Sequence, residues 1–381
     1  MGGIDLDFYL SEEQELIRSA MREFAQEHVA PIAQEIDESS RWPADLYVKL
    51  AEKGWMGMPF PEEFGGSGAD YVSYAGAIEE LAQVCAATAF NVSVHTGVAC
   101  MCINNFGTEE QKKTYLTPLA KGKIGAFAIT EPSAGTDVGG ALTNAVLDGE
   151  EYVINGSKTF CTNGPVADTY VVFAWTNKEK GEMSCFIIPR GTPGMQIGQK
   201  IEKMGMRSSQ TSDLYFKDCR IPKENIIGKE GQGLKIAMNG FDHGRVGIAA
   251  QAVGIAQAAL DEAIAYSKQR IQFNKPIAKQ QQIQFWIADM VTEVQAARLL
   301  TLQAAWRKDQ GQPFSKEAAM AKLYASELAV RVANKAVQIH GGYGYCKGIK
   351  VERLYRDAKI TEIYEGTSEA MRMVIGGSTL R

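Results

Sequence analysis

The chain has 381 residues, 45% hydrophobic and 22% charged, and its 40 Lys and Arg against 45 Asp and Glu leave a net charge of −5. A chain of this size buries large cores and is expected to form two or three domains. The mild acidity and the lack of a long basic run exclude a nucleic-acid groove or an anionic membrane as the natural partner.

Seven cysteines, odd in number and scattered without paired metal spacing, point to free thiols in a reducing compartment, with the cytosol as the default. The opening MGGIDLDFYLSEEQ has no basic segment followed by an apolar core, and no uninterrupted run of about 18 apolar residues occurs, so neither secretion nor a membrane span is expected.

Taken in order, Ser11 with Gln14 three residues on reads as a capping box opening an amphipathic helix to about Glu27, limited by Pro31. Trp42-Pro43 opens a second helical stretch ending at Gly54. The Pro- and Gly-rich loop 59–70 precedes a long apolar segment, 71–106, without period-two alternation and dense in small residues, as in a buried helical bundle. His95 within it reads as a core or subunit-contact histidine rather than a catalytic one.

Near Lys123 the character changes. GAFAIT, NAVLDGEEYVINGSKTF, TYVVFAW, MSCFIIP and DLYFKD are short, β-branched and aromatic, and turn signals such as Asp148-Gly149 and Asn155-Gly156 separate them. They predict an antiparallel β domain, with Leu214 and Phe216 facing in and Asp213, Tyr215 and Lys217 facing out. After Gly231-Gln232-Gly233 the helical period returns through about Arg270, then again over 281–309 and 316–340. With the helix carrying Phe241 to Arg245 counted as a fourth, these predict a closing bundle. The expected domains are a helical domain at 1–122, a β domain at 123–228 and a helical bundle at 229–381.

The stretch TEIYEGTSE, 361–369, holds a lone carboxylate, Glu365, between an aromatic residue and a glycine, after the helix-like KVERLYRDAK. A carboxylate takes a carbon-bound proton effectively when it is held partly out of water, which raises its proton affinity. From these nine residues alone an ordinary turn carboxylate fits as well. The loop 130–140, TEPSAGTDVGG, offers backbone N–H groups with Ser133 and Thr136 to a phosphate, yet it matches neither a dinucleotide fingerprint nor a P-loop and reads equally as a plain β-turn loop. In SKTFCTNG, 157–164, Phe160 and Thr162 share a face if the segment is extended, either against a flat heterocycle or in the core.

RIQFNKPI, 270–277, ends a helix with Arg270 and Phe273 three residues apart, which reach a neighbour's phosphate or cap their own helix. QIHGGYGY, 338–345, places glycines at 341, 342 and 344, where backbone passes close to a ligand. Asp242 and Arg245 in FDHGR either pair or hold a polar ligand. No Cys/His cluster has metal-ligand spacing and no GxSxG or Cys/His nucleophile arrangement stands out, which disfavours a metalloenzyme and an acyl-serine hydrolase.

Together these segments make the chain resemble the acyl-CoA dehydrogenase family of flavoproteins, in its short- to medium-chain, butyryl-CoA dehydrogenase-like form. The resemblance runs in order through SEEQ, ITEPSAGTDV, KTFCTNG, KMGMRSSQT with LYFKDCRIP, FDHGR, RIQFNKPI, QIHGGYGY, RDAK and IYEGTSE. It implies an α+β multidomain fold: an N-terminal all-α domain, a central antiparallel β-barrel-like domain and a C-terminal four-helix bundle.

For the chemistry, the resemblance implies that Glu365 takes the α proton of an acyl-CoA thioester while the β hydride passes to FAD N5, giving the 2-enoyl-CoA. Electrons then pass to an electron-transfer flavoprotein. Some members carry the base on the FDHGR helix instead, where this chain has Gly244. Phe127, Ile129, Thr130, Gly135 and Thr136 resemble the flavin and pyrophosphate loop, with Thr136 also near substrate, and Phe160 and Thr162 the segment beside the isoalloxazine. Arg270, Phe273, Gln338, Gly341 and Gly342 are expected to reach FAD from an adjacent subunit, and Thr367 and Glu369 to close the site beyond the base. Asp242, Arg245 and Gly366 are expected on the acyl-CoA. The implied assembly is a homotetramer, a dimer of dimers.

Phe160 stands where the family usually has Trp, Cys161 where Ile is usual and Asn274 where Gly is usual. The smaller ring bears on the choice of electron acceptor more than on flavin binding. Two further readings stand beside the first: action on a cyclic or aryl-substituted acyl-CoA, or in the enoyl-reducing direction, and a non-catalytic acyl-CoA-binding protein, against which Glu365 and the flavin motifs argue.

Overall fold

The computed structural model describes residues 10–380; residues 1–9, on which part of the reading about a leader segment falls, lie outside them. The first region is helical. Helix α1 (Glu12–Phe24) opens with the expected capping box: Ser11 Oγ accepts from Gln14 N at 3.2 Å and Gln14 Oε1 from Ser11 N at 2.9 Å. It runs into a π-helical turn at Ala25–Val29 and stops before Pro31. Short helices α2 (Ala33–Ser39) and α3 (Ala44–Glu52) follow.

Helix α4 (Tyr71–Val84) is capped by Asp70, breaks at Cys85 and is followed by α5 (Ala86–Ser93), a π-helical stretch (Val94–Cys100) and α6 (Met101–Phe106). The path Ala86–Phe106 is long and apolar enough to cross a membrane by length and composition, yet it is buried inside the fold from Ala86 through Ile103. Its apolarity is that of a core helix, as its small residues predicted. His95 there is fully buried, its Nδ1 accepting from Gly125 N at 2.9 Å, and burial pushes its pKa down to about 4. It is a core histidine. Short helices α7 (Glu109–Gln111) and α8 (Thr117–Ala120) close the region.

Eight strands then form one sheet: β1 (Gly125–Ala128), β2 (Asn144–Asp148), β3 (Glu151–Thr162), β4 (Thr169–Asn177), β5 (Glu182–Pro189), β6 (Met195–Lys200), β7 (Thr211–Pro222) and β8 (Ile226–Ile227). Their order is β6-β7-β3-β2-β4-β5-β8, with β1 added on β4. Most pairings are antiparallel, but β1 lies parallel to β4 and β2 meets β4 in parallel at Asn144 and Trp175. On β7, Leu214 and Phe216 are buried between outward Asp213, Tyr215 and Lys217, as the alternation predicted.

Of the two turn signals, Asp148-Gly149 makes the β2–β3 hairpin. Asn155-Gly156 does not turn: it is a bulge inside β3, where Gly156 has φ +143° and a Cβ would lie 2.5 Å from Thr143 Oγ1. Glycine serves close backbone approach there rather than chain reversal.

The closing region is built on α9 (Gly233–Gln269), which spans 37 residues. Phe241 to Arg245 lie on this same helix, one continuous rod with the Ala252–Ile264 stripe rather than a separate element. A tight hairpin follows, β9 (Ile271–Gln272) and β10 (Lys275–Pro276), turning at Phe273 and Asn274 with φ +51° and +59°. Asn at 274 suits that left-handed backbone. Helices α10 (Gln281–Asp309) and α11 (Ser315–His340) pack on α9, and α12 (Lys350–Ile360) completes the bundle against α9 and α11. Helix α13 (Ser368–Thr379) packs on α11. Among the described residues the six buried cysteines and exposed Cys346 are all free.

Candidate active site

The site is organised by the turn between α12 and α13. Thr361 Oγ1 donates to Ala358 O at 2.7 Å, Ser368 N to Glu362 O at 2.9 Å, and Thr367 Oγ1 caps α13 by accepting from Ala370 N. Between these anchors Glu365 and Gly366 both take left-handed backbone, φ +54° and +96°. A non-glycine residue there costs of order 1 kcal/mol and persists because its flanks over-determine it. Tyr364 is pinned by its hydroxyl, which donates to Gln251 Oε1 at 2.6 Å, and by its ring, stacked on Phe90 at 4.3 Å.

The next side chain is thereby turned against α9. Glu365 Oε2 is shut off from solvent and has no hydrogen-bond partner among the described residues. Opposite it stands Gly244, where a Cβ would lie 2.6 Å from that oxygen. Burial pushes the Glu365 carboxyl up to about 7, against the pull of Arg245 and Lys322 toward the ionised form.

Arg245 is buried and its Nη1 donates to Asp242 Oδ1 at 2.7 Å, which also accepts from Ser315 Oγ at 2.9 Å. Burial raises the Asp242 pKa, with Arg245 opposing. The two residues do pair, yet Arg245 Nε stays buried without a partner and so keeps a donor to spend. A Cβ on Gly366 would come within 4.0 Å of Arg245 Nη2. Glu365, Gly366, Arg245 and Asp242 therefore form one group.

The 130–140 loop is fixed at its base. Lys158, fully buried, donates to Glu131 Oε1 at 2.6 Å and to Ile129 O at 3.2 Å. Glu131 in turn accepts from Leu142 N at 2.6 Å and Thr143 N at 3.1 Å, and Thr159 N donates to Thr130 O at 2.8 Å. The tip is left free, with Gly135 and Thr136 exposed and open space where a Gly135 Cβ would be. Phe127 on β1 reaches across to Phe241 on α9, ring centroids 5.5 Å apart, which joins the loop to the Asp242 end of the Glu365 group.

Phe160 and Thr162 flank buried Cys161, as a shared face requires, but the segment is not regularly extended: β3 bulges between Lys158 and Cys161 and Phe160 has φ +53°. The bulge leaves the Phe160 ring 64% exposed.

Arg270, Phe273, Gln338, Gly341 and Gly342 lie elsewhere. Arg270 sits over the Tyr343 ring at 6.0 Å, which joins the RIQFNKPI and QIHGGYGY segments, and Phe273 is 88% exposed. Arg245 and Arg270 stand near opposite ends of this part of α9, about 37 Å apart along its axis at 1.5 Å per residue. One chain does not bring these five residues to Glu365. Thr367 spends its hydroxyl on the α13 cap, and Glu369 is exposed.

Three supports of the site escaped sequence reasoning: Lys322, whose Nζ donates to Gly366 O at 2.5 Å, the Lys158–Glu131 pair, and the Tyr364–Gln251 hydrogen bond. Lys322 carried one signal, a cation between Ala321 and Leu323 on the apolar stripe of its helix.

Three family models match the chain: the acyl-CoA dehydrogenase N-terminal domain over residues 11–123, the middle domain over 126–219 and the C-terminal domain over 231–380. Among similar proteins is a short-chain specific acyl-CoA dehydrogenase of Clostridium acetobutylicum, 52% identical and covering 99% of this chain and 100% of its own. An acryloyl-CoA reductase (NADH) of Anaerotignum propionicum is 49% identical over 99% of this chain and 96% of its own. A solved structure described as "Electron transferring flavoprotein of Acidaminococcus fermentans: Towards a mechanism of flavin-based electron bifurcation" superposes with a TM-score of 0.98, at 50% identity, over 99% of this chain and 100% of that one.

Proposed function

The chain belongs to the acyl-CoA dehydrogenase family, FAD-dependent oxidoreductases, and we propose that it removes the α and β hydrogens of a short-chain acyl-CoA with Glu365 as the base. The observation that carries this reading is the half-buried Glu365 carboxylate, shut off from solvent and unpartnered at Oε2 and raised in proton affinity to about 7. Such a group is a base poised near neutral pH.

Bound FAD would supply the acceptor for the β hydride. The open space over Gly135, Gly341 and Gly342, where a Cβ would meet nothing within 4 Å, fits a cofactor lying against backbone. Phe127, Ile129, Thr130, Gly135, Thr136, Phe160 and Thr162 would hold it from one subunit, with Thr367 and Glu369 beyond the base. Arg270, Phe273, Gln338, Gly341 and Gly342 would hold it from another, since about 37 Å of helix separates them from their own Arg245. That division makes the protein an obligate dimer at least, and we assign it a homotetramer in the cytosol.

Glu365 would take the α proton as the α,β double bond forms, and its backbone N–H would be a donor to the thioester oxygen, where charge develops. The spare Nε of Arg245 is free for the CoA moiety, with Asp242 holding the guanidinium in place and Gly366 and Thr136 bordering the substrate. An electron-transfer flavoprotein would take the electrons, and the Phe160 ring is exposed and available to such an acceptor. The likeness to an acryloyl-CoA reductase favours one further reading, operation in the enoyl-reducing direction.

The purified protein is expected to be yellow and to bleach anaerobically with a short acyl-CoA. Glu365→Gln is expected to keep FAD and acyl-CoA binding while losing nearly all flavin reduction, on the order of 10²- to 10⁴-fold. A colourless protein that takes up no FAD, or near-wild-type bleaching by the variant, sinks the proposal. Assays in both directions over a panel of thioesters separate dehydrogenase from reductase.

A further inference from the structure

Two lysines in the structure are completely buried, Lys158 and Lys322. The first is accounted for by its ion pair with Glu131. The second is not: no carboxylate among the described residues comes within 4.0 Å of Lys322, and its one hydrogen bond is Nζ to Gly366 O at 2.5 Å. Burying an ammonium without a paired anion is costly, and an apolar residue of similar length would fill the same space without that cost. The charge must therefore serve something besides packing.

What it borders is the Glu365 turn. Gly366 has φ +96°, outside the range a side-chain-bearing residue favours, and its carbonyl is held from α11 by Lys322. The charged and titratable groups that face the pair come from every surrounding element. On α9 stands Arg245, and in the turn and on α13 stand Glu362 and Glu369. On α4 and α6, Tyr71, Tyr74 and Cys102 sense the Glu365 charge, as does Tyr364 beside it. Of the two cations, Arg245 acts on Glu365 more strongly but is paired with Asp242 at 2.7 Å. Lys322 is the uncompensated one.

We propose that Lys322 is a positioning residue for Glu365: it fixes the turn through the Gly366 carbonyl and supplies the positive charge that steadies the carboxylate form of the base. The assignment rests on Glu365 being the base. Burial draws the Lys322 ammonium down to about 8, with Glu365 the largest influence holding it charged. The two groups thus support each other's ionisation, and the ammonium needs no contact with substrate or cofactor to act.

The test compares holoenzyme carrying Lys322→Met, Lys322→Gln and Lys322→Arg with wild type, in two measurements. One is the pH profile of anaerobic flavin reduction by a short acyl-CoA. The other is an infrared titration of the Glu365 carboxyl band, assigned by its loss in Glu365→Gln, which reads the base without turnover. In Lys322→Met and Lys322→Gln both midpoints are expected to rise by about one unit, and Lys322→Arg is expected to restore them. Lys322→Gln keeps a donor for Gly366 O, so its limiting rate at high pH should exceed that of Lys322→Met.

An unmoved midpoint in both uncharged variants, or equal losses in all three, overturns the proposal in favour of simple packing, as does failure of all three to fold with FAD. Should Lys322→Met alone fail to fold, the Gln and Arg variants decide. Were Glu365→Gln to keep full flavin reduction, the base assignment would fall separately, while the infrared midpoint would still report whether Lys322 controls that carboxyl.

Discussion

Gly244 and Glu365 meet so closely that a Cβ at residue 244 would lie 2.6 Å from Glu365 Oε2 and 2.8 Å from Val98 Cγ2. Glycine here keeps open the space into which the carboxylate is turned.

Gly244→Ala is therefore expected to displace Glu365 without unfolding α9, because Ala favours the helix. A shift of about 1 Å at a reacting group costs on the order of 10²-fold in rate. Stopped-flow reduction of the flavin measures this, with circular dichroism and FAD content as controls. A rate within a factor of two of wild type would show that the carboxylate relaxes freely.

Glu365 also sets a pH dependence. Its folded-state pKa, about 7, lies above the ordinary carboxylate value of 4.5, so the native protein binds the proton more tightly than the unfolded chain. Its contribution to stability is full below about pH 4.5 and is lost as pH rises through about 7, amounting to roughly 3 kcal/mol. Flavin reduction runs the other way and rises through about pH 7 as the base ionises. Urea unfolding at pH 5 and pH 8 should show wild type losing stability relative to Glu365→Gln across that interval; parallel behaviour of the two proteins would contradict the burial of this charge.

Arg270→Ala is expected to lower FAD retention while leaving the pH midpoint of flavin reduction in place, since Arg270 lies about 37 Å of helix from its own Arg245. Absorbance ratios after gel filtration read the cofactor content. Unchanged content with unchanged assembly would count against a cross-subunit role.

Lys158→Met leaves Glu131 as an unpaired buried carboxylate at the base of the 130–140 loop. Breaking one partner of a buried pair costs about 3–5 kcal/mol, which chemical denaturation measures. Because Glu131 also holds Leu142 N and Thr143 N, FAD affinity should fall with stability. Replacing both residues, as Glu131→Leu with Lys158→Met, should recover much of the stability but little of the FAD affinity.

Much of this was legible in the sequence because the signals were local. The Ser11–Gln14 box, the 148–149 hairpin, the alternation on β7 and the helix end before Glu365 each depend on residues a few positions apart. Reading failed where distant residues decide. Asn155-Gly156 carries a turn signature, and only the approach of Thr143 makes it a bulge. Strand β6, Met195–Lys200, has too few apolar residues to announce itself and is stabilised by its pairing with β7. The shielding of Glu365 Oε2 depends on Gln251, which pins Tyr364, and on Gly244, both of them outside 361–369. Lys322 is 43 residues from the carboxylate it serves, and no spacing rule links them.

The buried path Ala86–Phe106 has a consequence for the chain before it is finished. Its cover on one side is α9, whose first residue, Gly233, is synthesised roughly 130 residues later. At about 5–20 residues per second, a nascent chain carries that stretch uncovered for about 6 to 25 s. Throughout that interval it presents a stretch containing an 18-residue window of mean hydropathy 1.4 to the surroundings of the ribosome. The protein's most exposed moment to aggregation or mistaken membrane targeting thus falls during translation, and codon changes that slow synthesis between α6 and α9 would lengthen it without altering one atom of the mature fold.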